Sequence, residues 1–494
     1  MKGILRIFCV LLIILMILPA TVSCHKKADN KEPADESVVT TSDSPYDENG
    51  YLRDDIPDEL DYAGKEVNIL HWSDAQYIEF GETDTSSVVS SAIFDRNNAV
   101  ESRLGVKLVW YDSLAGDGVY KQFTQKVEMD IYSEQIYDIY AAYAPELGML
   151  TTFGYTKNLL ASDMKYLNLE KPWWPKSLTE YCSFGDKLYF ASGDISTNLF
   201  YVMNGIYYNQ NMLNELHVTD DPYEMVKNGT WTVDALLRIC MNVGEPGYDG
   251  TVDSSKYGLI TAWALTDGFF VGSGLETIVK NPEGEWTLSD NFSSSKAHTL
   301  YTKLGNLWNS DDAYIAKDNK FSVVFPEGRS LFLAGQIGYA VSYFGEADFT
   351  YRVVPYPKFD KEQEKYYTAV GNYFSMYGVS TNCSENEERA ERLSAVLECY
   401  ASEAYRKTTP ALFETTFKTR YSEDEKMAEM FDTIREGVRF DLGQMHGAAI
   451  GLPYNTIRDF IYTGGSEFSS TIARTAYAIK KNITDLGTKY KELP

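Results

Sequence analysis

Between residues 66 and 143 the sequence alternates three apolar runs with two amphipathic stretches. EVNILHW (66–72), VKLVWY (106–111) and YDIYAAY (137–143) read as strands. SSAIFDRNNAVESRL (90–104), with Ile93, Val100 and Leu104 on one face, and residues 119–133 read as helices. A β-α-β-α-β succession joined by right-handed crossovers makes a parallel sheet. Open α/β sheets bind ligands outside the carboxyl ends of their strands. That rule places His71, Trp72, Tyr111, Asp112 and Tyr143 toward a site.

The chain begins MKGILRIFCVLLIILMILPATVSC. Lys2 and Arg6 precede an apolar run over residues 7–18, shorter than the roughly 20 residues that span a bilayer. The basic start and the small residues Ala20 and Ser23 predict an export signal over 1–23. Cys24 resembles the lipidated cysteine of a bacterial lipobox, although Thr21 stands where Leu is commonest. Residues 25–65 hold twelve acids against five bases and few large apolar groups. Such a stretch buries too little surface to offset its ordering entropy, so 24–65 is expected to be a flexible acidic tether. The body after it exceeds one compact core and is expected to form two lobes.

The net charge is −26, and no Lys/Arg block stands anywhere in the chain. Nucleic acid is excluded as a partner, because phosphate binding needs clustered positive charge. Tyr, Phe and Trp make up 14% of the residues, enough for a core and for stacking on sugar rings. For any single ring, core packing is the first expectation. Cys182, Cys240, Cys383 and Cys399 form no C-x-x-C pair. Cys240 and Cys399 fall in helical patterns as buried thiols; a Cys383–Cys399 bridge stays open, since export permits one.

Further along, residues 155–200 are rich in loops, with a hairpin-like FGDKLYF at 184–190. Residues 205–213 read as a strand entering a helix, and Thr232 as the N-cap of a helix over 233–241. Residues 330–343 read as a short helix, a turn at Gly335 and a strand; 351–356 reads as another strand. Long helices are expected over 385–406, 423–436 and part of 467–489. No nucleotide loop, H-E-x-x-H or G-x-S-x-G motif is present. The five His are scattered, so no zinc site is expected. Glu245, Pro246 and Tyr248 break any calcium-loop pattern at 244–258, which reads as a plain turn. No catalytic residue, cofactor or metal is therefore assigned.

Several stretches resemble, in order, the extracellular solute-binding proteins of ABC transporters, in the group that includes maltose-binding protein. They are FDRNNAVESRLGVKL (94–108), YDIYAAYAPELGML (137–150), YYNQNML (207–213), NGTWTVDALL (228–237), LAGQIGYAVSYFG (333–345) and YRVVPYPK (351–358). The resemblance implies an α/β fold of type II, with two lobes of mixed sheets flanked by helices and a hinge between them. Lobe one would comprise 66–200 and 337–382, and lobe two 201–336 and 383–494. It implies a lipid-anchored protein on the outer face of the cell membrane. That protein acts as a monomer, captures an oligosaccharide between its lobes and delivers it to ABC permease subunits. The rival reading is a membrane-anchored carbohydrate-active enzyme, since carboxylate pairs for glycoside hydrolysis leave no motif.

The candidate ligand contacts are Trp72, Tyr143, Trp174, Asn204, Trp263, Tyr343, Phe344, Tyr454, Asn455 and Arg458. Trp72 is read equally as a stacking platform and as core beneath the first helix. Tyr143 ends the third strand. One of Trp173 and Trp174 is expected to pack and the other to face the cleft. Asn209 is read as a possible helix cap, and Trp231 as a packing residue. Arg458 would bond hydroxyls or a uronic carboxylate, or else form a surface ion pair.

Overall fold

Trp72, Ser113 and Tyr143 end three parallel strands at one edge of a four-stranded sheet. The strands are β1 (Lys65–Trp72), β2 (Val106–Ser113) and β3 (Ile139–Tyr143). The computed structural model describes residues 44–47, 49–81, 85–248, 254–316, 320–413 and 425–494. The expected signal, Cys24 and the first part of the tether lie outside the described residues. Residues 51–494 form one compact unit, separate from 1–50, in which Gly50 closes a turn on the Asp47 carbonyl.

The helix Val88–Leu104 connects β1 to β2. Ser87 caps it through a reciprocal bond with Ser90, and Gly105, at φ 57°, ends it in the left-handed region. Val89, Ile93, Val100 and Leu104 form its buried face.

The second sheet has five strands. They are β4 (Asn204–Asn209), β5 (Tyr257–Ala262), β8 (Ala313–Ala316), β9 (Ser330–Gln336) and β10 (Tyr351–Val354). Strands β6 (Ile278–Lys280) and β7 (Trp286–Leu288) form a separate hairpin ladder. The order in the second sheet is β10-β4-β9-β5-β8, with β5 parallel to both β8 and β9. Strand β11 (Ser375–Val379) returns to the first sheet antiparallel to β3, pairing Ser375 with Tyr143.

Two antiparallel segments link the sheets. Met203 bridges Val370, Asn204 N donates to the Ala369 carbonyl at 2.9 Å, and Gly371 N donates to that of Val202 at 2.9 Å.

Three expectations are corrected. Residues 51–65 are not tether: Ile56 and Tyr62 are buried, and Asp54 sits among Arg103, Ser402 and Arg406. In 330–343 the order is strand then helix, β9 followed by Tyr339–Ser342. Gly335 is a strand residue there, where a Cβ would come within 2.8 Å of the Tyr339 ring. Last, β10 falls inside 337–382 yet bonds to β4 of the second sheet. The helix Glu387–Arg406, within 383–494, packs on Val88–Leu104 beside the first sheet.

Candidate functional site

Tyr143 ends β3 opposite the start of β11. Its ring lies 5.8 Å from Trp72 and 5.2 Å from Tyr373. Trp72 is fully buried and donates its indole N–H to Ser375 Oγ at 2.7 Å, so it backs Tyr143 rather than lining a surface. Tyr373 is 39% exposed and supplies the open aromatic face. Burial pushes the Tyr143 hydroxyl up, as do Tyr373 and Asp117, while a hydrogen bond with Asn372 and the charge of Arg458 pull the other way. Asp117 stands beside Asp74, whose carboxylate accepts from the Ala115 and Gly116 amides at 2.9 Å each.

Arg458 comes from the second sheet's side, on the helix Pro453–Thr463. Its Nε donates to Asp267 Oδ1 at 2.8 Å and its Nη2 to Oδ2 at 2.5 Å. Its Nη1 donates to Asn455 Oδ1 at 3.1 Å. The guanidinium lies 4.9 Å from the centre of the Trp263 ring, a cation–π contact. Burial opposes the guanidinium charge, but the Asp267 carboxylate outweighs it and holds Arg458 above its usual range. Trp263 is half-buried and follows the carboxyl end of β5, where the sheet rule places ligands.

A second contact bridges the sheets along the same edge. Tyr77, in the segment after β1, stacks on Tyr201 with centroids 4.0 Å apart. Asn198 holds the Tyr77 backbone at both ends, accepting from its N at 3.0 Å and donating to its carbonyl at 2.9 Å. The Tyr77 hydroxyl meets Ser342 Oγ at 3.1 Å, in the short helix after β9. Tyr343, one residue on, is partly buried against Phe321 and Tyr339.

Of the residues expected from sequence, Trp263, Asn455 and Arg458 lie together, and the Arg458 charge acts on Tyr143, which has Trp72 beside it. Tyr343 lies toward the Tyr77 end. Three are core residues instead. Trp174 is buried and donates its indole N–H to Glu398 at 2.9 Å, next to Trp173, which donates to the same carboxyl at 3.1 Å. Phe344 is buried against Tyr207, Phe325 and Tyr351. Tyr454 is buried and donates to Asp441 at 2.8 Å. Asn204 is 2% exposed at the start of β4, and its side-chain oxygen has no hydrogen-bond partner. His71 packs on Phe80 at 4.4 Å. Asn209 caps the helix Gln210–Glu215 through Met212 N, and Trp231 donates its N–H to the Pro355 carbonyl.

Tyr373, Asn372, Asp267, Tyr77, Asp74 and Asp117 were not expected. Asp74 could have been found, two residues past the end of β1. The four body cysteines are free and buried, which leaves no Cys383–Cys399 bridge. A hollow of about 450 Å³ opens elsewhere, by the start of the helix Val233–Cys240, lined by Asp220, Thr232, Arg238 and Asp360 among others. It contains none of the residues where the sheets meet. Among the described residues no cluster of His, Cys, Asp and Glu is arranged to hold a metal.

No protein-family model and no curated relative matches the sequence. Solved structures do match in shape. A cyclic α-maltosyl-1,6-maltose binding protein from Arthrobacter globiformis is 12% identical, with TM-score 0.55 over 86% of this chain and 99% of that one. A cyclo/maltodextrin-binding protein complexed with maltotetraose is 14% identical, with TM-score 0.53 over 86% and 98%. The fold is that of the two-lobed periplasmic binding proteins. A maltose-binding periplasmic protein from Listeria monocytogenes, in complex with maltose, matches at 14% identity and TM-score 0.53 over 86% and 98%.

Proposed function

We propose that the protein is an extracellular solute-binding protein that captures an oligosaccharide between its lobes and delivers it to an ABC permease. The observation that carries this reading is the Tyr143–Tyr373 pair beside the first sheet and the Trp263–Arg458 pair beside the second, with the Arg458 charge acting on the Tyr143 hydroxyl. Aromatic faces stack on the C–H faces of sugars. The guanidinium, Asn372 and Asn455 supply hydrogen bonds for hydroxyls. Trp263 is half-buried with Arg458 over one face of its ring. The carbohydrate named for each neighbouring structure supports the ligand class by analogy of fold.

Lobe one is built on the first sheet together with residues 51–65 and the helix Glu387–Arg406, and lobe two on the second sheet together with β10. Closure bends the paired segments at 202–204 and 369–371 and brings the aromatic faces onto the ligand. The closed form docks on the permease, and a separate subunit hydrolyses ATP. Cys24 is lipidated and holds the monomer at the outer face of the cell membrane. No helix among the described residues is long and apolar enough to cross a membrane.

The reading is a binding protein and not an enzyme. Asp267, the buried carboxylate at the site, is committed to Arg458 and is not free for proton transfer.

Titration calorimetry of the purified body against a panel of neutral oligosaccharides tests this. Stoichiometric binding with no change in the glycan is expected. Turnover by catalytic amounts of protein, or no binding across the panel, overturns the reading. Cys24→Ser, expressed in the native host, is expected to release the protein into the medium; retention at the membrane would defeat the lipid anchor.

A further inference from the structure

Five partly or wholly buried arginines each hold a carboxylate. Arg103 and Arg406 share Asp54, Arg389 holds Asp138, Arg435 holds Asp194 and Arg458 holds Asp267. Arg96, buried as well, bonds the Asn97 side chain and the Glu79 carbonyl. Arg439 is 7% exposed, and its guanidinium holds no carboxylate among the described residues. Its Nε and Nη1 are shut off from solvent without a hydrogen-bond partner. Such a cation is costly to bury, because nothing replaces the water it has lost.

The guanidinium lies against two rings. Its carbon is 3.7 Å from the centre of the Tyr367 ring and 5.3 Å from that of Tyr181. Aromatic faces attract the charge but offer the edge N–H groups no acceptor. An arginine stacked in this way keeps its planar fork for a carboxylate or phosphate. Either fork, Nη2 with Nε or Nη2 with Nη1, takes two oxygens of such an anion.

The backbone fixes the place. Arg439 N donates to the Thr368 carbonyl at 3.0 Å, and Thr368 N to that of Gly437 at 2.8 Å. Ser177, on the helix Lys176–Cys182 that also carries Tyr181, donates its hydroxyl to the Val438 carbonyl at 2.8 Å. Three separate stretches of chain therefore meet here, directly before residues 369–371. Asp441, two residues on, is already committed: it accepts from Thr277 N and Oγ1, from Gly443 N and from the Tyr454 hydroxyl. Burial pushes the Glu276 carboxyl up and the Arg439 charge pulls it down, yet no hydrogen bond or ion pair joins the two.

We propose that Arg439, with Tyr181 and Tyr367, binds a small oxyanion, a carboxylate or a phosphate, where these three stretches meet. Both tyrosines are half-buried, so the ion is reached from solvent past their outer edges. The site shares no residue with the Tyr143–Tyr373 and Trp263–Arg458 pairs and does not depend on the carbohydrate reading.

The test follows the melting temperature of the purified protein in millimolar sodium phosphate or sodium acetate, with ionic strength held constant by sodium chloride. A saturable rise of about 1–3 °C is expected. Chloride, a single point of charge, cannot engage the fork. Arg439→Gln is expected to lose the rise. Arg439→Lys, which keeps the charge without the fork, is expected to keep at most part of it. Calorimetric titration of the unmodified protein with each salt reads the same binding directly, should the variants fail to fold.

A response to phosphate alone or to acetate alone supports the site and assigns the class of its ion. No response to either, with no heat of binding, overturns the proposal, and so does an equal response in Arg439→Gln. Glu276→Gln removes a competing negative charge and is expected to strengthen the response. If it instead abolishes the response and destabilises the protein as much as Arg439→Gln does, Glu276 is the partner of Arg439 and the proposal falls.

Discussion

The phenol of Tyr77 lies on Tyr201 with ring centroids 4.0 Å apart and planes 20° from parallel, and its hydroxyl meets Ser342 at 3.1 Å. One residue belongs to the first sheet's side, one to the linking segment and one to the second sheet's side. Gly338 makes the approach possible, since a Cβ there would fall 2.4 Å from the Tyr77 hydroxyl oxygen. The contact thus reports on the angle between the lobes. The Tyr77→Phe variant keeps the stack and loses the bond, which is worth about 1 kcal/mol. It is expected to be less stable than the parent by about that amount in urea melts. Gly338→Val is expected to separate Tyr77 from the linking segment and to shift solution scattering toward a more open molecule. Identical scattering curves for variant and parent would remove this contact from the hinge.

Asp54 ties residues 51–65 to the body. Its carboxylate accepts from Arg103 at 2.6 and 2.5 Å, from Ser402 at 2.6 Å and from Arg406 at 3.3 Å. Burial works to raise this carboxyl, but Arg103, Ser402 and Arg406 outweigh it and hold it at about 2. The folded value lies below the unfolded one. Its contribution is therefore fully present above pH ~3.8 and is lost as pH falls through ~2. Asp54→Ala leaves Arg103 without its carboxylate, while Arg406 keeps Glu403 at 2.7 Å, and is expected to cost about 3–5 kcal/mol. A urea midpoint at pH 7 within error of the parent's would return residues 51–65 to the status of a tether.

That segment shows what composition hides. Twelve acids over 25–65 average to a disordered signature, yet Ile56 and Tyr62 are placed to pack and Asp54 finds cations more than forty residues away. The strands β1 to β3 were legible because each pairs a local apolar run with a helix of clear period. β9 was not. All of SLFLAG is buried in the sheet centre, and a continuous apolar run has no period to separate strand from helix. The candidate site was suggested in the sequence only at strand ends. Tyr143 follows from the sheet rule and Trp263 from its place beside an apolar strand-like run; Trp72 sits at the same edge as Tyr143 but is fully buried. Tyr373 and Asp267 depend on β11 and Pro453–Thr463 returning from distant sequence, which no local pattern encodes.

Binding should divide the aromatic residues by exposure. Tyr373→Ala and Trp263→Ala remove stacking faces, and each is expected to weaken oligosaccharide binding by about tenfold or more, comparing a stacking loss of 1–3 kcal/mol in other ring systems. Trp174→Phe is expected to leave affinity unchanged and to lower stability, because the indole N–H to Glu398 is lost. Tryptophan fluorescence titration alongside thermal melts separates the two effects. The reverse pattern would move the site away from the sheet ends.

His446 makes stability depend on pH in the mildly acid range. It is buried, faces the Tyr490 hydroxyl at 3.0 Å and lies 6.1 Å from the Trp286 ring. Burial lowers it to about 4. The unfolded chain therefore takes up the proton first. The stability that the neutral ring contributes is complete above pH ~6.5 and is lost as pH falls toward ~4, in all about 3 kcal/mol. His446→Gln is expected to flatten the fall in urea midpoint between those limits, whatever its own stability at pH 8. An equally steep fall in the variant would assign the acid sensitivity to another group.

Glu398 works in the opposite sense. Its carboxyl accepts from both Trp173 and Trp174 and from Asn168 N at 3.1 Å. Burial raises it to about 8, against the pull of those donors and with Asp54 adding to the rise. With the folded value above the unfolded one, the contribution is complete below pH ~4.5 and is lost as pH rises through ~8. Glu398→Gln cannot ionise, but its single acceptor oxygen leaves one indole N–H without a strong partner, at a cost of about 1–3 kcal/mol. The variant is expected to be less stable than the parent at pH 5 and to close or reverse that gap by pH 9. Urea midpoints at the two pH values read the crossing directly, and a gap constant across them would mean that Glu398 stays ionised in the folded protein throughout.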